Sequence, residues 1–540
     1  MASSQLLIIF FFLLFTGTLS ENEDQTHNIL KLMERACVNV NDRSACLSNL
    51  QSECEKKGNQ TSSISLLNAA VKATMDEVRR AIDLVTKISA LSTDRREQIA
   101  IDDCRELLEY SMDELGMSMS EMEKIRSGTR HDSTHQKGNL NAWLSAALSN
   151  QDTCLEGFEG TNGHVKRSIQ GSLKQVTQLV SNVLAMFKSI HSVPAKPPRN
   201  STTTTTRTRS GTEYPKWVSA EEREQVQASP ESMHVDAVVA LDGSGRYRSI
   251  TEAIYNAPSH STKRYVIYVK QGVYKENVEL KKKKSYIMLV GDGIGKTIIT
   301  GSRNFLQGWT TFRTATFAVS GMGFIARDIT FRNTAGPMSR QAVALRVDSD
   351  RSAFFRCSVE GYQDTLYAHS LRQFYRECNV YGTIDFIFGN GAAVLQNCKI
   401  FTRDPLPYQK TTITAQGRKD PNQGTGFSIQ NSYVYASHPT YLGRPWKQYS
   451  RTVFMQTYLN EQVMPQGWLE WYGNFALNTL YYGEYMNYGP GAGVEGRVRW
   501  PGYHVMKDKS QASFFTVARF IDGQSWLPAT GVSFTAGLIK

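Results

Sequence analysis

Phe354-Phe355-Arg356-Cys357-Ser358-Val359, Phe374-Tyr375-Arg376-Glu377-Cys378-Asn379-Val380 and Val394-Leu395-Gln396-Asn397-Cys398-Lys399-Ile400 are three segments written to one plan. Each is rich in aromatic and β-branched residues, the composition of strands. Cys357, Cys378 and Cys398 fall at the same place in all three. Like segments lie on either side: Tyr265 to Val269, Tyr286 to Val290, Phe324 to Phe331, Phe427 to Val434, and Val453 to Leu459. Ile329, Val359, Val380, Ile400, Val434 and Leu459 read as one position of a loose repeat, with steps of 30, 21, 20, 34 and 25. No helical pattern separates the segments, which argues against βαβ units. A base period of roughly 20 with loops of variable length predicts a parallel β-helix, each coil stacked on the one before.

That register brings two aspartates together. Asp364 lies five residues past Val359, and Asp385 five residues past Val380. On neighbouring coils, about 4.8 Å apart, they hold equivalent positions. Two carboxylates that close do not both ionise freely, so one is expected to have a raised pKa and the pair to titrate as a unit. One anion beside one acid is the combination a nucleophile and a general acid require. Stacked Asp residues also cap turns between coils. Tyr362, Tyr367, Phe386 and Phe388 around the pair favour chemistry. So does Gln363, a neutral donor beside Asp364 suited to a developing oxyanion.

Other chemistries find less support. There is no Gly-x-Ser-x-Gly elbow. His369 reads as a loop residue rather than a base. Gly291-Asp292-Gly293-Ile294-Gly295-Lys296-Thr297 imitates a phosphate-binding loop, but Val290 stands where its first glycine belongs and no helix follows, so it reads as a β-helix turn. Cysteines and histidines show no zinc spacing, and neither a metal nor a cofactor is expected.

Ahead of the repeats the pattern changes. Residues 27 to about 190 read as amphipathic helices: Leu67, Val71, Met75, Val78, Ile82 and Val85 recur at three- and four-residue steps, as do Leu173, Val176, Val180, Val183 and Phe187. They predict an antiparallel bundle. Cys37 and Cys46 are expected to staple a helical hairpin, and Cys104 and Cys154 to tie two later helices. Cys54 is left over. Cys357 and Cys378 are the candidate bridge of the second half, leaving Cys398 a buried thiol. Residues 191–228 form a linker, with Pro194, Pro197, Pro198 and the run Thr202 to Thr206. The β-helix domain is placed at 229–540.

Residues 1–20 read as a signal peptide: the apolar run Leu6 to Leu14 is too short to span a bilayer and small residues follow. A secreted chain without a membrane anchor in its mature form follows. Asn59 and Asn200 open glycosylation sequons. The net charge of +11 suits an acidic polymer. Secretion turns that expectation away from nucleic acid.

Two resemblances sharpen this. Ile101-Asp102-Asp103-Cys104-Arg105-Glu106-Leu107 and Trp143-Leu144-Ser145-Ala146-Ala147-Leu148-Ser149-Asn150-Gln151-Asp152-Thr153-Cys154 resemble the plant invertase and pectin methylesterase inhibitor family, a four-helix bundle with two disulfides. Gln341-Ala342-Val343-Ala344-Leu345-Arg346-Val347, Gly361 to Tyr367, Gly382 to Asn390 and Tyr441-Leu442-Gly443-Arg444-Pro445-Trp446 resemble the plant pectin methylesterase family, whose match runs from about 232 to 535.

The second resemblance implies an all-β right-handed parallel β-helix preceded by an all-α four-helix bundle. It also implies a secreted cell-wall enzyme that hydrolyses the methyl esters of homogalacturonan without metal or cofactor. By the same resemblance Asp385 is the nucleophile, Asp364 the proton donor and later base, and Gln363 the oxyanion stabiliser with help from Gln341. Arg444 orients Asp385 and contacts substrate, Trp446 stacks on a sugar ring, and Thr311 contacts substrate. The bundle would be an inhibitory, folding or targeting pro-region, with inhibitor proteins and processing proteases as further partners. The family's basic pair followed by two leucines, a mark of pro-region cleavage, is absent here; Arg207-Thr208-Arg209 is the substitute candidate. A β-helix lyase or polygalacturonase is the alternative enzyme, although the Gly-His-Gly segment of polygalacturonases is missing. A chain whose bundle alone acts is the non-enzymatic alternative.

Overall fold

A computed structural model describes residues 63–89, 92–127, 133–191 and 233–539, together with isolated positions between 33 and 51. The signal peptide, Cys37, Cys46, Cys54, both sequons and residues 192–232 lie outside the described residues.

Four long helices come first: α1 (Ser63–Ser89), α2 (Arg95–Arg126), α3 (Ser133–Gly157) and α4 (His164–His191). Asp94 starts α2 by accepting the Glu97 amide at 2.8 Å, which satisfies one of the orphan donors of the first turn. The apolar stripes turn inward: Leu67, Val71, Val78 and Val85 of α1 meet Leu173, Val176, Val180 and Val183 of α4 in one buried cluster. Full burial of each such side chain stabilises by about 1.5–3 kcal/mol. The expected Cys104–Cys154 disulfide joins α2 to α3.

From Ala237 onward the chain winds through three parallel sheets of eleven, seven and eight strands. One coil takes one strand from each, for example Arg372–Arg376, Asn379–Gly382 and Ile387–Gly389. This is the expected parallel β-helix. Its register pairs Val359 with Val380, Val380 with Ile400, Ile400 with Val434 and Val434 with Leu459. One member of the repeat lies two residues later than its spacing predicts. Val359 pairs with Phe331, not Ile329.

From Phe324 onward, each segment that reads as a single strand is a pair of strands on different sheets, joined at a sharp bend. At each bend one non-glycine residue adopts the left-handed conformation: Asp328 (φ 60), Arg356 (φ 49), Glu377 (φ 55), Asn397 (φ 57), Asn431 (φ 48) and Gln456 (φ 52). Composition conceals this, because the strands on both sides of the bend carry the same residue types. A side chain in that conformation is strained by roughly 1–2 kcal/mol, less for Asn and Asp. The ladder of backbone hydrogen bonds on both sides of the bend holds it.

The Cys357–Cys378 bridge does not form. Cys357, Cys378 and Cys398 are buried free thiols, one at the start of each successive coil's next strand. In a parallel, in-register ladder the Cα–Cβ bonds of stacked residues run side by side about 4.8 Å apart. A disulfide instead needs two Cβ atoms turned toward each other, about 3.8 Å apart. The thiols donate to backbone carbonyls: Cys357 to Phe355 at 3.5 Å, Cys378 to Phe354 at 3.3 Å, and Cys398 to Tyr375 at 3.5 Å.

Each sheet's outer face has a different fate. The eleven-stranded sheet is covered by the chain's end, where Phe515, Val517, Phe520, Trp526 and Leu527 pack against Val266, Met288, Phe374 and Val394. The eight-stranded sheet faces outward, with Tyr381 stacked on Phe401 and Phe401 on Tyr435. The seven-stranded sheet is covered by the helical bundle. Its outward residues Ala318, Tyr367, Phe388 and Ala415 belong to the same buried apolar cluster as the bundle's own core. No helix among the described residues is long and apolar enough to cross a membrane.

Candidate active site

The site lies on that covered sheet. The strands Leu366–Ala368, Ile387–Gly389 and Thr411–Gln416 are neighbours in it, with Leu366 opposite Ile387 and Ile387 opposite Thr414. Counting back two residues places Asp364, Asp385 and Thr412 in one column. The two aspartates are therefore equivalent on adjacent coils, as the register required. Both occupy the left-handed region, Asp364 at φ 60 and Asp385 at φ 51, where Asp is among the few tolerated side chains. The Asp364 amide donates to Ile384 O at 3.1 Å and the Asp385 amide to Thr412 Oγ1 at 2.9 Å.

The surroundings of the two carboxylates differ. Asp385 accepts from Thr412 Oγ1 at 2.6 Å. Arg444 grips it with two nitrogens, Nε to Oδ1 at 2.9 Å and Nη2 to Oδ2 at 2.6 Å. Arg444 is fixed in turn: its amide donates to Thr414 O at 2.9 Å, and its guanidinium lies 4.4 Å from the Trp471 ring centre. Such a bidentate, charge-assisted pair holds Asp385 as an oriented anion. No such clamp holds Asp364. Burial pushes its carboxyl well above the usual range, the neighbouring Asp385 adds to the shift, and Arg444 offsets only part of it. One anion beside one neutral acid is thus built into the column.

A cavity of about 270 Å³ opens over the pair. It brings together every site residue expected from the sequence: Asp364, Asp385, Gln363, Gln341, Thr311, Arg444 and Trp446 all line it. The Gln341 carboxamide oxygen is buried there without a hydrogen-bond partner. Tyr367 stacks on Phe388 with ring centres 4.1 Å apart, and Phe388 meets Trp446 edge-on at 5.9 Å. Trp446 fits only because position 417 is glycine; a Cβ there would stand 2.9 Å from the indole.

Two of the aromatic neighbours expected from sequence lie elsewhere. Phe386 points into the β-helix core, and Tyr362 lies beneath Arg403. His369 is buried against Phe312 and Tyr367, bonded through Nε2 to Thr153 Oγ1 at 2.9 Å. Burial lowers its pKa to about 3, which keeps it neutral.

Sequence reasoning missed Phe312, Thr412 and Trp471. Thr412 was recoverable, since it continues the Asp364–Asp385 column once Thr411–Gln416 is recognised as a strand. Trp471 and Phe312 are brought in by loops, and no periodicity marks them. It also missed that the bundle enters the site: Thr153, Glu156, Gly157 and Glu159 line the cavity.

The bundle is held there by polar contacts ringing the apolar patch. Arg313 sits between Asp103 and Glu106 of α2 and Glu279 of the β-helix. Trp143 Nε1 donates to Asp350 at 3.0 Å, and Arg372 Nη2 to Asn139 at 2.9 Å. Asn390 Nδ2 donates to Ser149 at 2.8 Å.

Comparison with known proteins agrees with this geometry. The pectinesterase family model matches residues 236–524, and the plant invertase/pectin methylesterase inhibitor model matches residues 31–186. An Arabidopsis thaliana relative whose name couples pectinesterase with pectinesterase inhibitor is 61% identical over 519 residues, covering 95% of this chain and 94% of its own. Pectinesterase 1 of Citrus sinensis is 43% identical over 532 residues, 96% of this chain and 90% of its own. The solved pectin methylesterase from carrot is 54% identical with a TM-score of 0.57, covering 58% of this chain and 100% of its own. The chain belongs to the pectinesterase family, which hydrolyses the methyl esters of pectin, and carries a pectin methylesterase inhibitor domain ahead of its catalytic β-helix.

Proposed function

We propose that Asp385 attacks the methyl-ester carbonyl of a galacturonate unit in homogalacturonan, and that Asp364 delivers the proton methanol needs to leave. The observation that carries this reading is the unequal environment of the pair: Asp385 held as an anion by Arg444 and Thr412, Asp364 kept neutral by burial. A bond forms between Asp385 and the carbonyl carbon, and the Gln363 and Gln341 side chains stabilise the oxyanion. The C–OCH3 bond then breaks, with the Asp364 proton going to the methoxide oxygen. Asp364, now a carboxylate, takes a proton from water as that water attacks the acyl-enzyme, releasing a free uronate and restoring Asp385. Every one of these steps draws on groups already lining the cavity. Methanol release from methyl-esterified pectin is the test, with Asp385→Asn as its decisive variant; a viscosity drop without methanol would instead mean backbone cleavage and overturn the reading.

Trp446 and Thr311 are assigned to holding the sugar chain. Truncation of Trp446 to Ala should raise KM for pectin about tenfold, the worth of one ring stacked on an apolar sugar face, and leave kcat within about twofold. Steady-state methanol kinetics check the split.

The bundle inhibits its own catalytic domain in this reading, because it closes the cavity from above. Its docking should depend on pH. Burial raises Asp103 to about 6 despite Arg313, and raises Glu114 to about 7 despite Lys282. Glu156 is raised as well. Burial pushes Glu279 up too, but Arg313 and Lys281 outweigh it and hold Glu279 down to about 2; Glu106 is lowered in the same way. Asp103, Glu106 and Glu279 share Arg313, and Lys281 joins only the last two; the most buried, Asp103, is the one that takes up a proton as pH falls through about 6. Groups raised on docking favour the docked state at low pH and lose that contribution as pH rises through 6 to 7. The lowered pair, Glu106 and Glu279, weakens docking only below the ordinary carboxylate range. Amide exchange across α3, corrected for its intrinsic pH dependence, should therefore rise about tenfold or more between pH 5 and 8. A flat profile would remove these carboxylates from control of docking.

The substrate places the enzyme in the plant cell wall after secretion. Free inhibitor proteins would compete with the chain's own bundle for the same sheet, and a protease acting between 192 and 232 would separate the two domains.

A further inference from the structure

Two cations that the reaction scheme leaves unused act on the cavity-lining Glu156: Lys447 pairs with it, and Lys419 is near enough to lower its pKa. Lys419 lies beyond the strand Thr411–Gln416, and Lys447 directly follows Trp446, its ammonium 5.1 Å from the indole centre. Among the described residues, the carboxylates paired with them come from the bundle alone: Asp152 Oδ1 lies 2.9 Å from Lys419 Nζ, and Glu156 Oε1 lies 2.5 Å from Lys447 Nζ. Asp152 and Glu156 stand four residues apart on α3, so they share one face of the helix. Glu159, just past the helix end, continues the series into the cavity with Glu156. The inhibitory helix thus presents a row of carboxylates to the groove, two of them seated on lysines of the β-helix.

A row of carboxylates is also what the reaction makes. Each turnover converts a neutral methyl ester into a free uronate on the same polymer. With the bundle withdrawn, Lys419 and Lys447 would stand at the groove edge without acidic partners, beside the tryptophan assigned to the sugar ring. We propose that Lys419 and Lys447 bind free uronate carboxylates of the polymer next to the ester being cleaved, and that α3 occupies these positions with Asp152 and Glu156 as stand-ins for the product. This rests on the reading of the cavity as the pectin site. It makes one statement about function: de-esterified polymer displaces the bundle where fully esterified polymer does not.

The test uses the full-length chain carrying Asp385→Asn, so that esterified oligomers stay esterified. Unesterified oligogalacturonate and its fully methyl-esterified counterpart of equal length are added separately, and amide exchange over residues 145–157 is followed. The unesterified oligomer should accelerate exchange about tenfold more than the esterified one, the equivalent of two partly buried ion pairs. In Lys419→Met/Lys447→Met the two oligomers should act alike. In Asp152→Asn/Glu156→Gln the bundle loosens, but the preference for the unesterified oligomer persists because both lysines remain. Equal responses to the two oligomers before the lysines are changed, including no response to either, would overturn the proposal. So would a difference that survives removal of both lysines. None of these readouts requires ester cleavage, so their failure is distinct from a failure of Asp385 as nucleophile.

Discussion

Replacement of Asp385 by Asn should lower methanol release from pectin by about a thousandfold or more, because an amide cannot form the acyl intermediate on which both half-reactions depend. The structure makes this variant a clean one. Asn is, with Asp, the side-chain-bearing residue best suited to the left-handed backbone at position 385. The backbone bond from position 385 to Thr412 Oγ1 is untouched by the change. What is lost is the charge facing Arg444 in a largely buried pair, and a stability decrease of about 1.5–3 kcal/mol should accompany it. Asp385→Ala would confound the result, since it adds backbone strain at the same position. Thermal denaturation of the Asn variant beside the methanol assay separates the two effects. A folded variant with more than a tenth of the native rate would remove Asp385 from the nucleophile's role.

The second large effect concerns the bundle. Asp103 has no exposed surface in the docked state and meets Arg313 and Thr310 across the interface. Asp103→Arg would set two guanidinium groups against each other where there is little water to screen them. Breaking a buried pair costs about 3–5 kcal/mol, so docking should weaken by a factor of about a hundred to several thousand. Methanol release by the uncut chain should then rise at least about tenfold. The bundle itself should survive, because position 103 faces the β-helix rather than the bundle's interior and becomes a surface site once undocked. The disulfide at the adjacent Cys104 continues to tie α2 to α3. Unchanged activity in a chain whose bundle has demonstrably undocked would mean that the bundle does not restrain the enzyme.

The coils were legible because a parallel ladder forces residues of one type into one column. Val359, Val380, Ile400, Val434 and Leu459 announce themselves by composition, and they carried Asp364 and Asp385 into alignment. The same rule misled at Ile329 and at the cysteines. Ile329 is as apolar as Phe331 and stands next in line with Cys357, so composition could not choose between two inward positions. Cys357 and Cys378 are neighbours as expected, but adjacency in a ladder sets side chains parallel, which is the wrong orientation for a bond between them. The rest of the site was hidden for another reason. Trp471 and Phe312 arrive on loops, whose paths no period encodes. Glu156 and Asp152 arrive from a different domain, and only the docked arrangement reveals what they face.

The continuity of the chain between α4 and the first strand has a consequence for how the enzyme is regulated in space. While bundle and β-helix are one molecule, they meet at a fixed local concentration, of the order of millimolar for domains joined by a covalent tether. Dilution cannot part them. A single cut in residues 192–232 would leave the contacts between the four helices and the β-helix in place, yet it would turn that encounter into one between two diffusing molecules. Occupancy would then follow the concentration of the surroundings. The cut would act as a timer, with the delay set by how slowly the bundle dissociates and how far it then diffuses.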